Sequence, residues 1–313
     1  MYCVNRPEKC IICSSVNLDN TKKQFGYILY HCQNCDLQFW YPLNDPNQDW
    51  YTNDRFYTIR NFLIPETLSK KYLLFLRRKI IYSGKLLDIG CGTGMFAAYC
   101  KKKGYKVTGI DFNKKSVSVA RNYWKLDNIY EMSFDQYKNE YSHEQFDVIT
   151  FFEVLEHQVN PVLFIEKVKR LLVPGGYIAL SVPNRERWDK LPPMNDSPPN
   201  HFTKWNCKSL VNLLSFCGFS VIEIKEVPFT IESARSILTG KLNKLKDKIL
   251  ISAIKKSSSD IQIEKKTELR KFFYLLFFIW RAFLLFPSYA VLFYARIFSK
   301  KDFSIYCLAK LED

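Results

Sequence analysis

Residues 84–94 read GKLLDIGCGTG, an apolar stretch that ends in three closely spaced glycines. The apolar part predicts a buried strand, and MFAAYCKKKG directly after it predicts a helix. Glycines between a strand and a helix let the backbone approach a ligand, and the N-terminus of the helix favours negative charge or hydrogen-bond acceptors. The stretch therefore predicts a cofactor-binding turn at residues 90–94.

The segments after this turn alternate between strand and helix patterns. Strands are predicted at residues 106–111, 128–132, 146–151 and 177–182, and helices at residues 95–104, from Lys114 and at 161–172. Such alternation predicts an α/β fold with a doubly wound, mainly parallel sheet that binds ligands at the C-terminal ends of its strands. The stretch NCKSLVNLLSFCGFSVIEI adds one more helix and strand.

Two kinds of cofactor are possible at the glycine turn, and a dinucleotide is the first. A dinucleotide-binding dehydrogenase needs G-x-G-x-x-G and an acid about 20 residues later that holds the ribose hydroxyls. Asp111 suits that acid, but Gly90, Gly92 and Gly94 are spaced as G-x-G-x-G.

The motifs LLDIGCGTG, VTGID, FDVITFFEVLEH and LLVPGGYIALSVPN together resemble those of the class I S-adenosylmethionine-dependent methyltransferases. The resemblance covers residues 84–228 and resumes at 303–311, where FSIYCLAK is similar to the family's final antiparallel strand. It implies a seven-stranded Rossmann-like sheet and S-adenosylmethionine as the cofactor.

The resemblance also implies which residues bind the cofactor. Asp88 would orient the methionine amino group, the glycine turn would cradle the methionine part, and Asp111 would accept hydrogen bonds from both ribose hydroxyls. The implied set is Asp88, Gly90, Gly92, Gly94, Asp111, Phe112 on one side of the adenine, and Ser133 with Phe134 on the other. From the residues alone, Asp111 is also compatible with a surface turn and the two phenylalanines with ordinary core packing.

Four of the ten cysteines form two C-x2-C pairs, Cys10 with Cys13 and Cys32 with Cys35. Two such pairs place four thiolates at tetrahedral distance from one Zn²⁺, and the alternative is four core cysteines with coincidental spacing. A four-sulfur site has no open coordination position, so the predicted zinc is structural. No apolar run of signal-peptide length opens the sequence, so we expect reduced thiols and a cytoplasmic location.

The formal net charge is +15, but the surplus does not lie in the predicted zinc ribbon at residues 1–50. Nucleic-acid binding through this ribbon is therefore disfavoured. The cationic excess lies in an aromatic, helical connector at residues 51–83 and in an insertion at 230–302. The predicted methyltransferase domain is formed by residues 84–229 together with 303–313.

Methyl transfer to an oxygen requires alignment of the acceptor and removal of its proton, so histidines are candidates for the catalytic base. Of the four histidines, His157 and His201 follow predicted strands of the sheet. His201 lies in D-x-P-P-x-H-x-x-x-W, which resembles bacterial methyltransferases that carry an N-terminal zinc ribbon and act in surface-polysaccharide or sugar biosynthesis. His201 is predicted to be a base, and the alternative is a cap of the next helix.

Glu153, Glu156 and His157 are spaced i, i+3 and i+4, which would place them on one face of a helical turn. This spacing resembles the E-x-x-E-H of ubiquinone-pathway O-methyltransferases, which implies Mg²⁺ as a possible further cofactor. Carboxylates and one imidazole are also common as capping and hydrogen-bonding groups.

The insertion at residues 230–302 joins a basic segment to the apolar stretch FFYLLFFIWRAFLLFPSYAVLFYARIF. Arg281 and Pro287 interrupt this stretch, and a single span would separate the last strand from its sheet. We expect a helical hairpin that binds one leaflet of an anionic membrane from the cytoplasmic side. The alternative is a helical pair that packs internally or forms a dimer contact.

Three functions follow from these features. The first is a methyltransferase that acts on a sugar or lipid-linked glycan at the cytoplasmic face of the membrane. The second is a ubiquinone-type O-methyltransferase with a lipophilic acceptor. The third, disfavoured by the charge distribution, is RNA modification or nucleic-acid binding.

Overall fold

The computed structural model describes residues 6–44, 68–78, 84–187, 196–228, 289–290, 293 and 303–312. The strands are β1 (Leu18–Gln24), β2 (Tyr27–Cys32), β3 (Gln38–Tyr41), β4 (Lys85–Ile89), β5 (Lys106–Asp111), β6 (Ile129–Glu131), β7 (Phe146–Phe152), β8 (Leu172–Pro183), β9 (Thr203–Lys204), β10 (Phe219–Val227) and β11 (Ser304–Leu311). The helices are α1 (Lys70–Arg77), α2 (Met95–Lys102), α3 (Lys114–Asn122), α4 (Phe134–Glu140), α5 (Pro161–Lys169) and α6 (Cys207–Phe216).

Seven of the strands form one sheet in the order β10-β11-β8-β7-β4-β5-β6. The pairs β4–β5, β5–β6, β4–β7 and β7–β8 are parallel, whereas β11 runs antiparallel to both of its neighbours. The predicted α/β fold with a seven-stranded sheet is confirmed, including the antiparallel last strand.

Burial in the sheet explains the apolar runs of the sequence. Residues 86–89 of β4 are all buried, as expected for a parallel strand that helices cover on both faces. On one face α2 contributes Phe96, which packs edge-on against Phe75 of α1 with ring centroids 5.6 Å apart. The helix α1 thereby attaches part of the predicted connector to the sheet.

The largest difference from the predicted boundaries lies between α5 and β8. The helix expected at 161–172 ends at Lys169, and β8 begins at Leu172 instead of Tyr177. Leu172 pairs with Phe146, and the register then shifts before Val148 pairs with Tyr177. The glycine pair at 175–176 gives no strand signal in the sequence, although the strand continues through it.

A second, four-stranded sheet has the order β1-β2-β3-β9. Its first three strands belong to residues 6–44, here called the cysteine segment, while β9 comes from the chain after β8. Gln38 pairs with Lys204 and Phe39 with Thr203, both antiparallel. The cysteine segment and the seven-stranded sheet belong to the same compact unit.

Nearly all of the predicted insertion at 230–302 lies outside the described residues, as does most of the connector apart from α1. Among the described residues, no helix has both the length and the apolar character needed to cross a membrane.

Candidate cofactor and acceptor site

The order of the strands places a crevice between β4 and β7. The chain moves from β4 outward to β5 and β6, then returns to the other side of β4 with β7. Ligands of doubly wound sheets bind at the C-terminal ends of the strands at such a reversal point. The glycine turn follows β4, and the residues from Glu153 to His157 follow β7, so the two predicted sets of site residues flank this crevice.

The glycine turn is held against the end of β5. The backbone N–H of Gly92 donates a 2.9 Å hydrogen bond to Oδ2 of Asp111, and the N–H of Asn113 donates to Oδ1 at 2.8 Å. A carboxylate has about four lone-pair sites, so these bonds leave capacity for ribose hydroxyls. Gly90, Gly92 and Gly94 all have positive φ, at 71°, 54° and 79°, a conformation that favours glycine.

Asp88 is buried within β4, next to the glycine turn. Its Oδ1 accepts a 2.7 Å hydrogen bond from the Thr150 hydroxyl on the neighbouring strand β7. Burial raises the pKa of Asp88 to about 7. The hydrogen bond from Thr150 opposes this shift, and the charge of Asp111 adds a smaller upward contribution. A carboxyl held in this way would gain from a nearby ammonium group.

The residues predicted to flank the adenine have structural roles as well. Ser133 is the N-cap of α4, where its hydroxyl accepts from the N–H of Gln136 in a capping box. Phe134 is partly buried and packs edge-on against Phe164, with centroids 5.3 Å apart. Phe112 is half-buried beside Asp111. All three lie at the C-terminal ends of β5 and β6, beside the glycine turn.

The turn after β7 contacts the glycine turn directly. A Cβ atom built on Gly90 would lie 2.8 Å from Cγ2 of Val154, so only glycine fits there without a shift. Glu153 itself has φ 57°, an uncommon conformation for a non-glycine residue that occurs often at functional sites.

The E-x-x-E-H segment does not form the predicted helical face. The helical turn is a short 3₁₀ turn, Leu155–His157, which begins after Glu153. Glu153 instead accepts a hydrogen bond from Ser181 at 2.7 Å and pairs with Lys71 at 3.0 Å. The predicted Mg²⁺ set of Glu153, Glu156 and His157 is therefore not brought together.

A different set of three residues is brought together, and we call Glu156, His157 and His201 the acid–imidazole cluster. Their ligand-capable atoms all lie within 4.8 Å of one another. The two imidazole rings meet edge to face with centroids 4.7 Å apart. Nδ1 of His157 bonds to the backbone oxygen of Asn200 at 2.7 Å, which anchors it to the chain just before His201.

His201 lies between two carboxyl groups. Its Nδ1 is 3.1 Å from Oδ1 of Asp196, and its Nε2 is 4.0 Å from Oε1 of Glu156. The helix that follows is capped by Asn206, so the alternative role of His201 as that cap is wrong.

Glu156 is buried, and its Oε2 atom has no hydrogen-bond partner among the described residues. Burial, followed by the charge of Glu153, raises the pKa of Glu156 well above its ordinary value. The neutral acid is therefore favoured, and it can donate a hydrogen bond. An unpaired polar atom this deeply buried is unusual and indicates a place for a ligand group.

A small polar concavity opens beside His201. It is lined by Pro183, Asn184, Arg185, Asp196, His201, Thr203 and Lys204. Asn184 is buried, and its Nδ2 donor also has no partner within the described part of the chain. Two unsatisfied polar groups, one on Asn184 and one on Glu156, thus adjoin the same histidine.

The four predicted zinc ligands are brought together in the cysteine segment. Sγ of Cys10 lies 3.5 Å from that of Cys35, and Sγ of Cys13 lies 3.6 Å from that of Cys32. Tetrahedral Zn²⁺ with bonds of about 2.3 Å requires sulfur atoms about 3.8 Å apart, so the four thiols fit this ion. A hydrogen bond from the Cys35 thiol lowers the pKa of Cys10 to about 5, which favours a thiolate.

Asp36, next to the last of these cysteines, joins the cysteine segment to the concavity. Its Oδ1 contacts Nη2 of Arg185 at 2.5 Å and Nε2 of His31 at 2.6 Å, and its Oδ2 accepts from Asn206 at 2.9 Å. Burial opposes ionisation, but the bonds from Asn206, Arg185 and His31 hold the pKa of Asp36 at about 2. Asp36 is therefore a charged contact between the two parts of the molecule.

Sequence reasoning missed Asp36, Asn184 and Arg185, and also the pairing of Asp196 with His201. Asp196 was visible as part of the D-x-P-P-x-H motif, and its spacing from His201 was the available signal. Asn184 and Arg185 follow β8, and Asp36 lies in the turn between β2 and β3. None of the three has a distinguishing pattern, and only the three-dimensional arrangement identifies them.

Comparisons with known proteins give one family match and several related proteins. The profile of a family described as "Methyltransferase domain" matches residues 51–224, which is more than half of the chain. Two curated relatives are each named ubiquinone biosynthesis O-methyltransferase. The protein of Pseudomonas aeruginosa (strain LESB58) is 39% identical over 105 residues, which cover 32% of this chain and 45% of that protein.

The second relative, from Aliivibrio fischeri (strain MJ11), is 34% identical over 110 residues, covering 34% of this chain and 46% of that protein. The chain thus spans about half the length of the curated relatives it matches. Among solved structures, the cyclopropane synthase MmaA2 of Mycobacterium tuberculosis aligns with a TM-score of 0.51 at 15% identity, covering 83% of this chain and 95% of that one.

The E. coli protein YjhP aligns with a TM-score of 0.50 at 18% identity, covering 83% of this chain and all of that one, 100%. At such identities these two structures support the fold alone. The fold, the glycine turn with its acid on β5, and the match over residues 51–224 lead to one conclusion: the chain belongs to the family of methyltransferase domains.

Proposed function

We propose that the protein is an S-adenosylmethionine-dependent O-methyltransferase that acts on a small molecule. The observation that carries this proposal is the contact between Gly90 and Val154. It joins the cofactor turn to the short turn that presents the acid–imidazole cluster, so a methyl donor and a proton acceptor would meet in one crevice.

S-adenosylmethionine, when bound, supplies a methyl group on a sulfonium that an acceptor oxygen can attack. On the cofactor side, Asp111 would accept from the ribose hydroxyls, and Asp88 would face the amino group. On the acceptor side, Asp196 accepts a hydrogen bond from Nδ1 of His201, which leaves Nε2 free to take a proton. Glu156, for which the neutral form is favoured, lies 4.0 Å from this nitrogen.

The names of the curated relatives support one class of acceptor. Both are ubiquinone biosynthesis O-methyltransferases, which favours a ring hydroxyl on a lipophilic quinone precursor and is the second of the functions that the sequence predicts. The comparisons support this alternative better than the glycan acceptor.

The lining of the concavity favours the other class. Asn184 in the lining has an unsatisfied buried polar atom, as does Glu156 beside His201, and Arg185 and Lys204 add two cations to the lining. A polyhydroxylated acceptor such as a sugar would satisfy such groups better than an apolar ring would. We therefore retain the glycan as a second candidate.

The test combines turnover with cofactor binding. His201→Gln and Asp196→Asn should each lower turnover while leaving the affinity for S-adenosylhomocysteine unchanged, because both act on the acceptor side. His143→Gln, in a polar loop away from the crevice, is the matched control and should be active. Radiolabelled cofactor offered with catechol-type quinone precursors and with sugar acceptors decides the acceptor class. Retained turnover in both variants would exclude His201 as the base.

We also propose a structural Zn²⁺ on Cys10, Cys13, Cys32 and Cys35, supported by the sulfur separations. A peripheral position at the cytoplasmic face of the membrane is supported by the basic and apolar composition of residues 230–302. In this arrangement the domains keep the predicted bounds of 1–50, 51–83, 84–229 with 303–313, and 230–302.

A further inference from the structure

The cysteine segment contacts the part of the chain that carries His201 at several consecutive positions. We define the acceptor loop as residues 196–206. The N–H of Trp40 donates to the carbonyl of Phe202 at 2.8 Å, and β3 pairs with β9 just after it. Gln24 adds a 3.2 Å bond to the hydroxyl of Ser197. The acceptor loop thus contributes β9, the fourth strand of a sheet whose other three strands come from the cysteine segment.

Asp36 lies where the second C-x2-C turn, here called the cysteine turn, meets the acceptor loop. Its N–H donates to the carbonyl of Cys32 at 2.9 Å, which closes the second C-x2-C turn. Its φ is 64°, an uncommon conformation for a non-glycine residue that aspartate tolerates better than most. The carboxylate then reaches Asn206, the cap of α6, and Arg185, which also donates to the Asp36 carbonyl.

These contacts connect Asp36 to the lining of the concavity beside His201. Arg185 follows β8, and its N–H donates to the Trp205 carbonyl at 2.7 Å. Next to His201, the N–H of Phe202 donates to the carbonyl of Glu156 at 3.0 Å, within the acid–imidazole cluster. The position of the His201 ring therefore depends on a run of bonds that begins at Asp36.

We propose that Asp36 is a positioning residue for the acceptor site: it couples the folding of the cysteine turn to the placement of His201. Metal binding by the cysteines would then affect the acceptor side of the crevice and not the cofactor side. This inference rests on the proposed function only for its consequence in turnover, because the coupling itself can be measured without an acceptor.

The four histidines make the coupling observable by NMR of protein labelled with ¹³C at histidine Cε1. The resonances are assigned with single His→Gln variants. Asp36→Asn keeps the size of the side chain but can no longer accept from Arg185 and Asn206 through two charged oxygens. We expect it to displace the resonances of His157 and His201, in addition to that of its neighbour His31, and to leave His143 in place.

Asp19→Asn is the matched control, since Asp19 lies exposed on β1 of the same segment and contacts Gln33. It should leave His157 and His201 unchanged. Chelation of the metal from the full chain should reproduce the effect of Asp36→Asn. The affinity for S-adenosylhomocysteine, measured by calorimetry, should be the same in both variants as in the unmodified protein. If the unmodified protein does not bind S-adenosylhomocysteine, the proposed function is refuted but the coupling is not.

Should Asp36→Asn fail to fold, Arg185→Lys provides the second variant, because it removes the forked contact with Asp36 and leaves the cysteine turn untouched. The same two resonances should then move. If the resonances of His157 and His201 do not shift in the folded variant that is measured, and do not shift after chelation, the coupling does not exist.

Discussion

Asp88 and Thr150 face each other across two parallel strands, joined by a 2.7 Å hydrogen bond from the threonine hydroxyl to the carboxyl group. Both side chains are buried between the layers of the sheet domain. The bond supports the charged form of Asp88 but does not offset the loss of hydration, so the carboxyl group retains its proton far above the usual pH range of an aspartate.

The first prediction concerns the dependence of stability on pH. Burial raises the pKa of Asp88 from 3.8 to about 7 in the folded protein. The folded state therefore binds a proton that the unfolded chain releases, and the resulting stability is complete below about pH 4 and is lost as the pH rises through about 7. The slope contributed by this group is on the order of 1.4 kcal/mol per pH unit at most.

Asp88→Asn should abolish this contribution. Urea unfolding at pH 5, 6 and 7 should show the variant gaining stability relative to the parent protein as the pH rises. Asp127→Asn, at an exposed position paired with Lys101, is the control and should follow the parent. A constant difference between Asp88→Asn and the parent over this range would contradict the raised pKa.

Removal of the Asp111 carboxylate should weaken cofactor binding. Asp111→Ala loses the predicted acceptor of the ribose hydroxyls and also frees the N–H of Gly92 in the turn. We expect a loss of about 1.5 to 3 kcal/mol in affinity for S-adenosylhomocysteine, the usual size for a hydrogen bond to a charged group. Calorimetry tests this, with Asp127→Ala as the control, and equal affinities would reject Asp111 as a cofactor ligand.

Gly94 is predicted to be intolerant of any side chain. It has a φ of 79°, and a Cβ there would lie 2.6 Å from Cβ of Ala120. Gly26 has a similar φ of 82° but nothing within 4 Å. Gly26→Ala should cost about 1 to 2 kcal/mol from backbone strain, and Gly94→Ala should cost about 1 to 3 kcal/mol more because of crowding. Denaturant unfolding compares the stabilities of the two variants. Equal losses of stability would mean that α3 shifts to accommodate the added methyl group.

We expect one tightly bound Zn²⁺ per chain. Elemental analysis of protein purified without chelators should find it, and the four ligand thiols should resist alkylation. Cys13→Ala should lose the metal, whereas Cys207→Ala, at a partly buried cysteine outside the cluster, should retain it. Metal-free protein with freely alkylated thiols would contradict the zinc site and favour the alternative of four cysteines with coincidental spacing.

The insertion is predicted to bind anionic membranes. The intact protein should float with vesicles that contain anionic lipid, and less so in high salt, because each Lys or Arg near the surface adds about 1 kcal/mol of attraction. A variant with residues 241–300 replaced by a short Gly/Ser linker should stay in solution and still bind S-adenosylhomocysteine. Intact protein that ignores the vesicles would favour an internal helical pair.

The parts of this structure that could be predicted from sequence are those with a local pattern. β5 has the predicted bounds of 106–111. Its apolar residues indicate the strand, and the polar residue Asp111 marks where the strand ends. β9 could not be predicted, since two residues have no periodicity and their pairing partner lies in the cysteine segment. Asp36 was hidden for the same reason: its partners Arg185 and Asn206 are far away along the chain.

The candidate site divides in the same way. The glycine turn and Asp111 are specified by a motif, since a close approach to a cofactor requires particular residues at a particular spacing. The acid–imidazole cluster is formed by residues from two loops, one after β7 and one before β9. Glu153 was predicted to be a member on the expectation of a regular helical turn. The left-handed conformation of Glu153 broke that assumption.

β11 lies between β8 and β10 in space, although it follows both of them along the chain. As the protein is made on the ribosome, β8 and β10 leave the exit tunnel first, and their backbone edges stay unpaired until the residues after the insertion emerge. Nascent chains with open strand edges are vulnerable to pairing with one another. Because loop closure costs only slightly more free energy as a loop lengthens, a longer insertion would extend this vulnerable interval in the cell while barely changing the stability of the finished sheet.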